Sequence, residues 1–447
     1  MGTFSGISRQ QKEAVGLLSI GTFLEYFDLM LYVHMAVLLN ELFFPETDPF
    51  TASLLSAFAF CSTYLLRPFG AIIFGYIGDN IGRKTAVVLT TGLMSLSCLV
   101  MANLPTYAQI GITASWVVTI CRIVQGMSSM GEMIGAELYL SELIPLPLRY
   151  SVVSIIAVCS SIGMTAALLI ATIVNSDNGF NWRNAFLCGS VVALIGFFAR
   201  TKLKEAGEFA NAKKRLSLSV GKKKTLAQQQ VVNEKVPLKT AIAYFLVECA
   251  WPVWFYLAYI HCGGELKEKF GYLPQEIIQH NFYLSLFDLA NAIILAYLVS
   301  KIHPLKILRF KSYVFLVFII FTPFLLNNAT TAAHFFYIQL CVLLVGPTGY
   351  PAVAVFFMHF PIFKRFTYAS LTYALSRAVM YVISSFGIVI LTKYFDNQGL
   401  LIIMLPIILG YIWGVHHFIN LERAAGNYHR FPLKKSIMTV FGASPSR

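Results

Sequence analysis

The chain has 447 residues, 57% of them hydrophobic and 12% charged, with mean hydropathy +0.68 and formal net charge +13. A soluble domain of this length is excluded, because its surface has to face water and there is too little polar material to cover it. The eight cysteines lie scattered in apolar segments without a Cys-x-x-Cys or paired spacing, so neither a disulfide framework nor a metal site is indicated.

Apolar runs of about twenty residues recur along the chain, each long enough to cross ~30 Å of hydrocarbon. They predict an all-α membrane protein with twelve transmembrane helices. The spans lie at about 14–40, 52–77, 85–104, 108–136, 150–174 and 184–200, then 238–262, 276–300, 311–327, 331–360, 365–393 and 397–421. The first run carries Glu25 and Asp28 with no small-residue cleavage site behind it, so it is expected to be a retained span and not a signal peptide. The longest polar interruption, 201–237, is lysine-rich and divides the chain. The expected units are a six-helix bundle at 1–200, a basic linker at 201–237, a second six-helix bundle at 238–424 and a tail at 425–447.

Lys and Arg set the orientation. The turns at Arg83–Lys84, Arg149, 201–237, Lys301–Lys311 and Lys364–Arg365 are basic, whereas 41–51 holds Glu41, Glu46 and Asp48, and 104–108 and 327–333 hold no charge. The positive-inside rule then places both termini and the linker in the cytoplasm. The net charge is therefore topological, and a nucleic-acid partner is not expected.

One stretch is more specific than composition. "RPFGAIIFGYIGDNIGRK", Arg67 to Lys84, puts an arginine deep in an apolar run and ends it with Gly75, Gly78, Asp79, Gly82, Arg83 and Lys84. Small residues let helices approach closely, and Gly82 is expected to permit a sharp turn. The pattern G-x-x-x-D-x-x-G-R-K, between spans 2 and 3 of two six-span halves, closely resembles the signature of the major facilitator superfamily. That resemblance implies two pseudo-symmetric bundles rocking about a midplane site. It also implies that Asp79 pairs with a nearby arginine and with the positive N-terminus of span 11, latching the cytoplasmic side. "EYFDLMLY", "LLRPFG", "RIVQG…GEMIGAELYLSE" and "FPIFKRFTYASLTY" narrow the likeness to the metabolite:proton symporters, which include proline/betaine, α-ketoglutarate and citrate carriers. By that likeness the chain is expected in a bacterial inner membrane, as a monomer, with a small-molecule substrate, protons and the lipid bilayer as its partners. The turn "SKIHPLKILRFK" departs from the pattern, having lost the second-half copy of the signature.

Ionised side chains in a bilayer are costly, so each needs a partner or a function. Gly21, Glu25, Asp28 and Tyr32 share one face of span 1, and burial favours the protonated form of such acids. Either acid is a candidate proton acceptor or the partner of an arginine. Arg122, Gln125, Gly126, Ser129 and Glu132 form a stripe on span 4. By resemblance Arg122 is linked to proton transfer, and a structural ion pair is the alternative. Arg67 suits substrate binding or helix packing equally. Glu132 and Glu137 are expected nearer the cytoplasmic end, as gate partners of Asp79 or Arg83.

In the second half Arg377 lies twelve residues after Arg365, about 18 Å into span 11. With Arg122 and Arg67 it suggests a guanidinium cluster suited to carboxylates, unless Asp288 or Glu248 neutralises it. Trp251, Trp254, Phe255 and Tyr259 leave packing and a cation–π cage both open. Candidate substrate-binding residues are thus Arg122, Arg377, Tyr32, Gln125, Trp251 and Phe255. The proton-coupling candidates are Glu25, Asp28, Arg122 and Glu132. "GPTGYP", Gly346 to Pro351, is expected to break span 10.

No phosphate loop, nucleophile elbow or metal-ligand pair is present, so neither an enzyme nor a cofactor is expected. The expectation is a secondary active transporter importing a small organic acid or zwitterion with protons. An exporter or exchanger on the same fold, and a non-transporting membrane receptor, are the alternatives.

Overall fold

The computed structural model describes residues 8–35, 39, 42–45, 63–146, 148–174, 182–203, 211 and 234–428. The end of the first expected span, the start of the second, most of the linker and the end of the tail lie outside the described residues.

Helices form where the apolar runs stand. They are α1 Arg9–His34, α2 Arg67–Asn80, α3 Arg83–Asn103, α5 Leu148–Val174, α6 Trp182–Arg200, α8 Pro274–Leu298, α9 Pro304–Asn327 and α12 Leu400–Ala424. Between these stand four interrupted helices. α4 runs from Ile112–Ser129 through a π turn at Met130–Ile134 into Gly135–Leu143. α7 runs over Leu238–Glu248, Ala250–Phe255, a π turn at Tyr256–His261 and Cys262–Phe270. α10 comprises Ala332–Val345 and Val353–Met358, broken at the Gly-Pro-Thr-Gly-Tyr-Pro run, and α11 joins Arg365–Val382 and Val389–Phe395 through a π turn at Ile383–Ile388.

Local signals set the ends. Ser8 and Gln11 form a reciprocal capping box before α1, with Ser8 Oγ accepting from Gln11 N at 3.2 Å. Pro68, Pro274 and Pro304 sit in first turns, where a missing N–H costs nothing.

Among the described residues eight stretches are long and apolar enough to cross a membrane, one of which, Arg365–Ala424, contains both α11 and α12. The outward faces are apolar, with Phe69, Ile195, Phe310 and Phe324 more than half exposed, while Glu25, Asp28, Arg67, Arg122, Glu132, Glu248 and Arg377 are buried. Charge inside and oil outside is the arrangement of a multi-pass membrane protein.

α1 packs on α5, α3 on α6, and α7 and α9 on α12. Among the described residues, the helices before the linker meet those after it along α2–α11 and α5–α8. Thr165 of α5 donates to the Ser285 carbonyl of α8 at 3.3 Å. On α2 a Cβ at Gly75 would stand 2.7 Å from Thr367 Cα of α11, and one at Gly78 would enter the Phe366 ring. The signature glycines are therefore the close-approach surface between the halves. Gly82 differs from expectation: at φ 160° and ψ 151° its backbone is extended, so the turn needs no left-handed residue.

Candidate functional site

At the α2–α3 end, Asp79 stands at the C-terminus of one helix and faces the N-terminus of another. Its Oδ1 accepts from Arg83 Nη1 at 2.6 Å and from Phe366 N at 3.1 Å, and its Oδ2 accepts from Thr367 N at 2.8 Å. A carboxylate against the free N–H groups of α11 is the favourable end of the helix dipole. Arg83, fully buried, donates to Glu142 at 3.1 and 3.3 Å and to the Ile362 carbonyl at 2.8 Å. Arg365 reaches Glu142 at 3.2 Å. Lys84 is half-buried at the start of α3. The acid of α4 that partners Arg83 is thus Glu142, not Glu132 or Glu137 as the sequence suggested. The π turn of α4 shifts the register between Arg122 and these acids, and spacing alone does not show it. With these bonds made, this conformation is closed at the Asp79 end.

Inside the first half, Arg122 Nη1 lies 3.5 Å from Asp28 Oδ2, donates to Gln125 Oε1 at 2.9 Å, and places its guanidinium 4.0 Å from the Tyr32 ring centre. Cys98 Sγ adds a contact to Asp28 Oδ1 at 3.4 Å. Four of the predicted residues therefore form one unit. Glu132 belongs to another: it is ion-paired with Arg200 and accepts from Thr91. Arg200 also donates to the Leu17 carbonyl at 3.0 Å and the Leu18 carbonyl at 2.9 Å, tying α6 to α1. Glu25 is left with Oε2 lacking a hydrogen-bond partner among the described residues; Arg67, Glu132 and Arg200 are the charges acting on it. Arg67 stacks its guanidinium 4.5 Å from the Tyr64 ring centre.

In the second half, Arg377 Nη2 bonds Glu248 Oε2 at 3.0 Å, Nη1 bonds the Glu248 carbonyl, and the guanidinium lies 4.3 Å from the Tyr373 ring centre. Of the two acids expected to neutralise Arg377, Glu248 does so. Arg122 and Arg377 are each held by an acid of their own half, Asp28 and Glu248. Asp288 instead shares its electrostatic environment with Lys311. Lys311 is a correction: placed in a basic turn by sequence, it is buried within α9.

Aromatic rings surround this layer. Trp251 lies 5.5 Å from Tyr350 and 6.2 Å from Phe255, and Tyr64 lies 4.0 Å from Tyr381 across the halves. Tyr26 of α1 and Tyr373 of α11 both direct their hydroxyls at Met133 Sδ of α4, at 3.1 and 3.3 Å. Trp254 is a packing residue: its Nε1 donates to the Pro347 carbonyl at 3.2 Å and its ring lies 4.5 Å from Phe315. At the far end of the bundle from Asp79, α7, α9 and α11 enclose a cleft of 670 Å³ lined by His261, Glu265, Glu268, Lys269 and Lys393 among others.

Where the second-half signature is missing, another cluster stands. His359 Nε2 lies 2.9 Å and His303 Nε2 3.6 Å from the two oxygens of Glu422, and the His303 ring lies 5.8 Å from Tyr150 of α5. No sequence motif pointed to it.

Comparison with known proteins agrees with this architecture. The sequence pattern of the Major Facilitator Superfamily matches residues 18–385. A Haemophilus influenzae protein provisionally named for metabolite transport is 31% identical over 383 residues, covering 81% of this chain and 83% of its own. A Staphylococcus aureus protein provisionally named a proline/betaine transporter is 33% identical over 211 residues, 46% of this chain and 45% of its own. Among solved structures, the proton:xylose symporter XylE bound to 6-bromo-6-deoxy-D-glucose superposes with a TM-score of 0.67 at 16% identity, covering 93% of this chain and 96% of that one, a likeness of fold alone. With the signature latch, the charged interior and this match over most of its length, the chain belongs to the major facilitator superfamily of multi-pass membrane transporters.

Proposed function

We propose that the protein is a secondary active transporter that imports a small carboxylate-bearing metabolite, an organic acid or a zwitterion, together with protons. It works by alternating access in a bacterial inner membrane, with both termini cytoplasmic. The Lys and Arg asymmetry of the turns supports the orientation. The observation that carries the reading is the buried Arg377–Glu248 pair joining α11 to α7, with a partnerless carboxylate oxygen on Glu25 in the same interior.

That arrangement couples two ligands by simple competition. A substrate carboxylate takes the bidentate face of Arg377 only by displacing Glu248. The displaced acid is then a buried charge without a partner, which is costly in a bilayer, and a proton removes the cost. Glu25, whose Oε2 has no hydrogen-bond partner among the described residues, offers a second place for a proton. Substrate and proton therefore favour each other's binding, and the neutralised interior favours the change of face. A zwitterion carried with one proton, or a monocarboxylate carried with two, moves one net charge, which across 100 mV is worth ~2.3 kcal/mol, roughly fifty-fold accumulation.

The test is purified protein in liposomes loaded with a pH-sensitive dye. 2-Oxoglutarate, citrate, L-proline and glycine betaine are added one at a time outside. The reading expects internal acidification that follows uptake of at least one compound. Uptake of a compound with no accompanying proton movement overturns it.

A further inference from the structure

Glu137 belongs to none of the pairs described. It sits on α4, one turn beyond Met133, and is 2% exposed, yet its Oε2 has no hydrogen-bond partner among the described residues. The neighbouring acids on α4 are clasped, Glu132 by Arg200 and Glu142 by Arg83 and Arg365. Glu142 is five residues on in the α-helical part, about 140° of rotation away, and the π turn separates Glu137 from Glu132, so it shares neither cluster.

It faces the space between the halves. The charges that act on it are Glu248 of α7, Glu25 of α1 and Arg377 of α11. Met133, one turn back, receives the hydroxyls of Tyr26 and Tyr373 from both halves. The one guanidinium acting on Glu137 is already bonded to Glu248, and Arg67 acts on Glu25 further along the layer. Beside Glu137 a second substrate carboxylate would meet the like charges of Glu137, Glu248 and Glu25. A cationic group finds a buried carboxylate with an open acceptor and aromatic faces nearby, which stabilise cations through their quadrupoles.

We propose that Glu137 is the docking point for an ammonium or quaternary amine group of the substrate, whose carboxylate binds Arg377, so that the cargo is a small zwitterion. This rests on the transport reading above and narrows its substrate class. The π turn at Met130–Ile134 is what turns Glu137 toward Glu248 and Arg377, by rotating the end of α4 relative to the Arg122–Gln125 stripe.

The test is ligand binding to the purified full chain, read by thermal shift and calorimetry. The probes are 4-aminobutyrate, L-proline, glycine betaine and L-carnitine, against succinate, 2-oxoglutarate and citrate; 4-aminobutyrate and succinate match in length and differ in one charged end. At least one ammonium-bearing compound is expected to bind more tightly than every dicarboxylate. Glu137→Gln should weaken that compound at least tenfold, and Glu137→Asp should retain part of the affinity. The inference is overturned if only the acids without a cationic group bind, if Glu137→Gln leaves zwitterion binding unchanged, or if no ammonium-bearing probe binds. An acid taken up with protons would remove the role of Glu137 and leave the transport reading standing. A zwitterion bound through Glu137 but moved without protons would do the reverse.

Discussion

Asp79→Asn removes one charge from the junction of α2 with α11, and its effect follows from three bonds. Asp79 holds Arg83 within its own half and the Phe366 and Thr367 amides across the interface. Hydrogen bonds to charged groups contribute about 1.5–3 kcal/mol each, and a charge at a helix N-terminus about 0.3–1 kcal/mol. Asparagine keeps one acceptor, so one cross-interface bond survives in neutral form while the other and the helix-end attraction are lost. The closed form should weaken by about 2–3 kcal/mol, a shift of roughly 30- to 160-fold toward opening at this end. Ser370 of α11 is fully buried in the closed conformation and serves as the reporter. In a background without native cysteines, Ser370→Cys is labelled in inside-out vesicles with a membrane-impermeant maleimide. The substitution of Asp79 should raise the labelling rate at least tenfold. An unchanged rate, with protein level and thermal midpoint also unchanged, refutes the latch.

Gly78→Val should have the same effect without altering charge, because its side chain enters the space of the Phe366 ring; labelling equal to the parent would contradict the close-approach role. Glu25→Gln should abolish accumulation against a gradient while substrate exchange continues, whereas Asp28→Asn, which unbinds Arg122, should impair both; normal pH-dependent accumulation in Glu25→Gln removes it from the proton path. Arg200→Met leaves Glu132 buried and unpaired, costing about 3–5 kcal/mol, and adding Glu132→Gln should recover most of the lost thermal midpoint. If the double variant is no more stable than the single one, Arg200 acts through its carbonyl bonds to α1 instead.

The fold was legible because the bilayer demands long apolar runs and punishes exceptions, so helices and buried charges both stand out in the sequence. The contact of Asp79 with Arg83 and the start of α11 was legible for a related reason: glycines at helix-contact spacing beside a carboxylate have few other uses in a membrane. Partners were harder. Lys311 sits at the end of an apolar run next to a basic turn, so it counted as a topological charge, and Arg200 at the end of span 6 drew no reading, yet both turn inward and are buried. Glu132, Glu137 and Glu142 lie within eleven consecutive residues of α4, and only the π turn decides that one faces Arg200, one the central space and one Arg83. No composition or period encodes that single inserted residue. The His303–Glu422–His359 cluster draws on two turns and the end of α12, positions far apart in sequence and each unremarked alone.

Proton coupling is the central claim, and uphill uptake tests it most directly. Vesicles containing the protein are given an inward pH gradient and the tightest-binding compound of the probe series, labelled, at equal concentration on both sides. The account predicts accumulation inside, loss of that accumulation on adding a protonophore, and continued one-for-one exchange after the gradient has gone. Accumulation that persists with the protonophore present, or a failure to accumulate while downhill uptake proceeds normally, would contradict it.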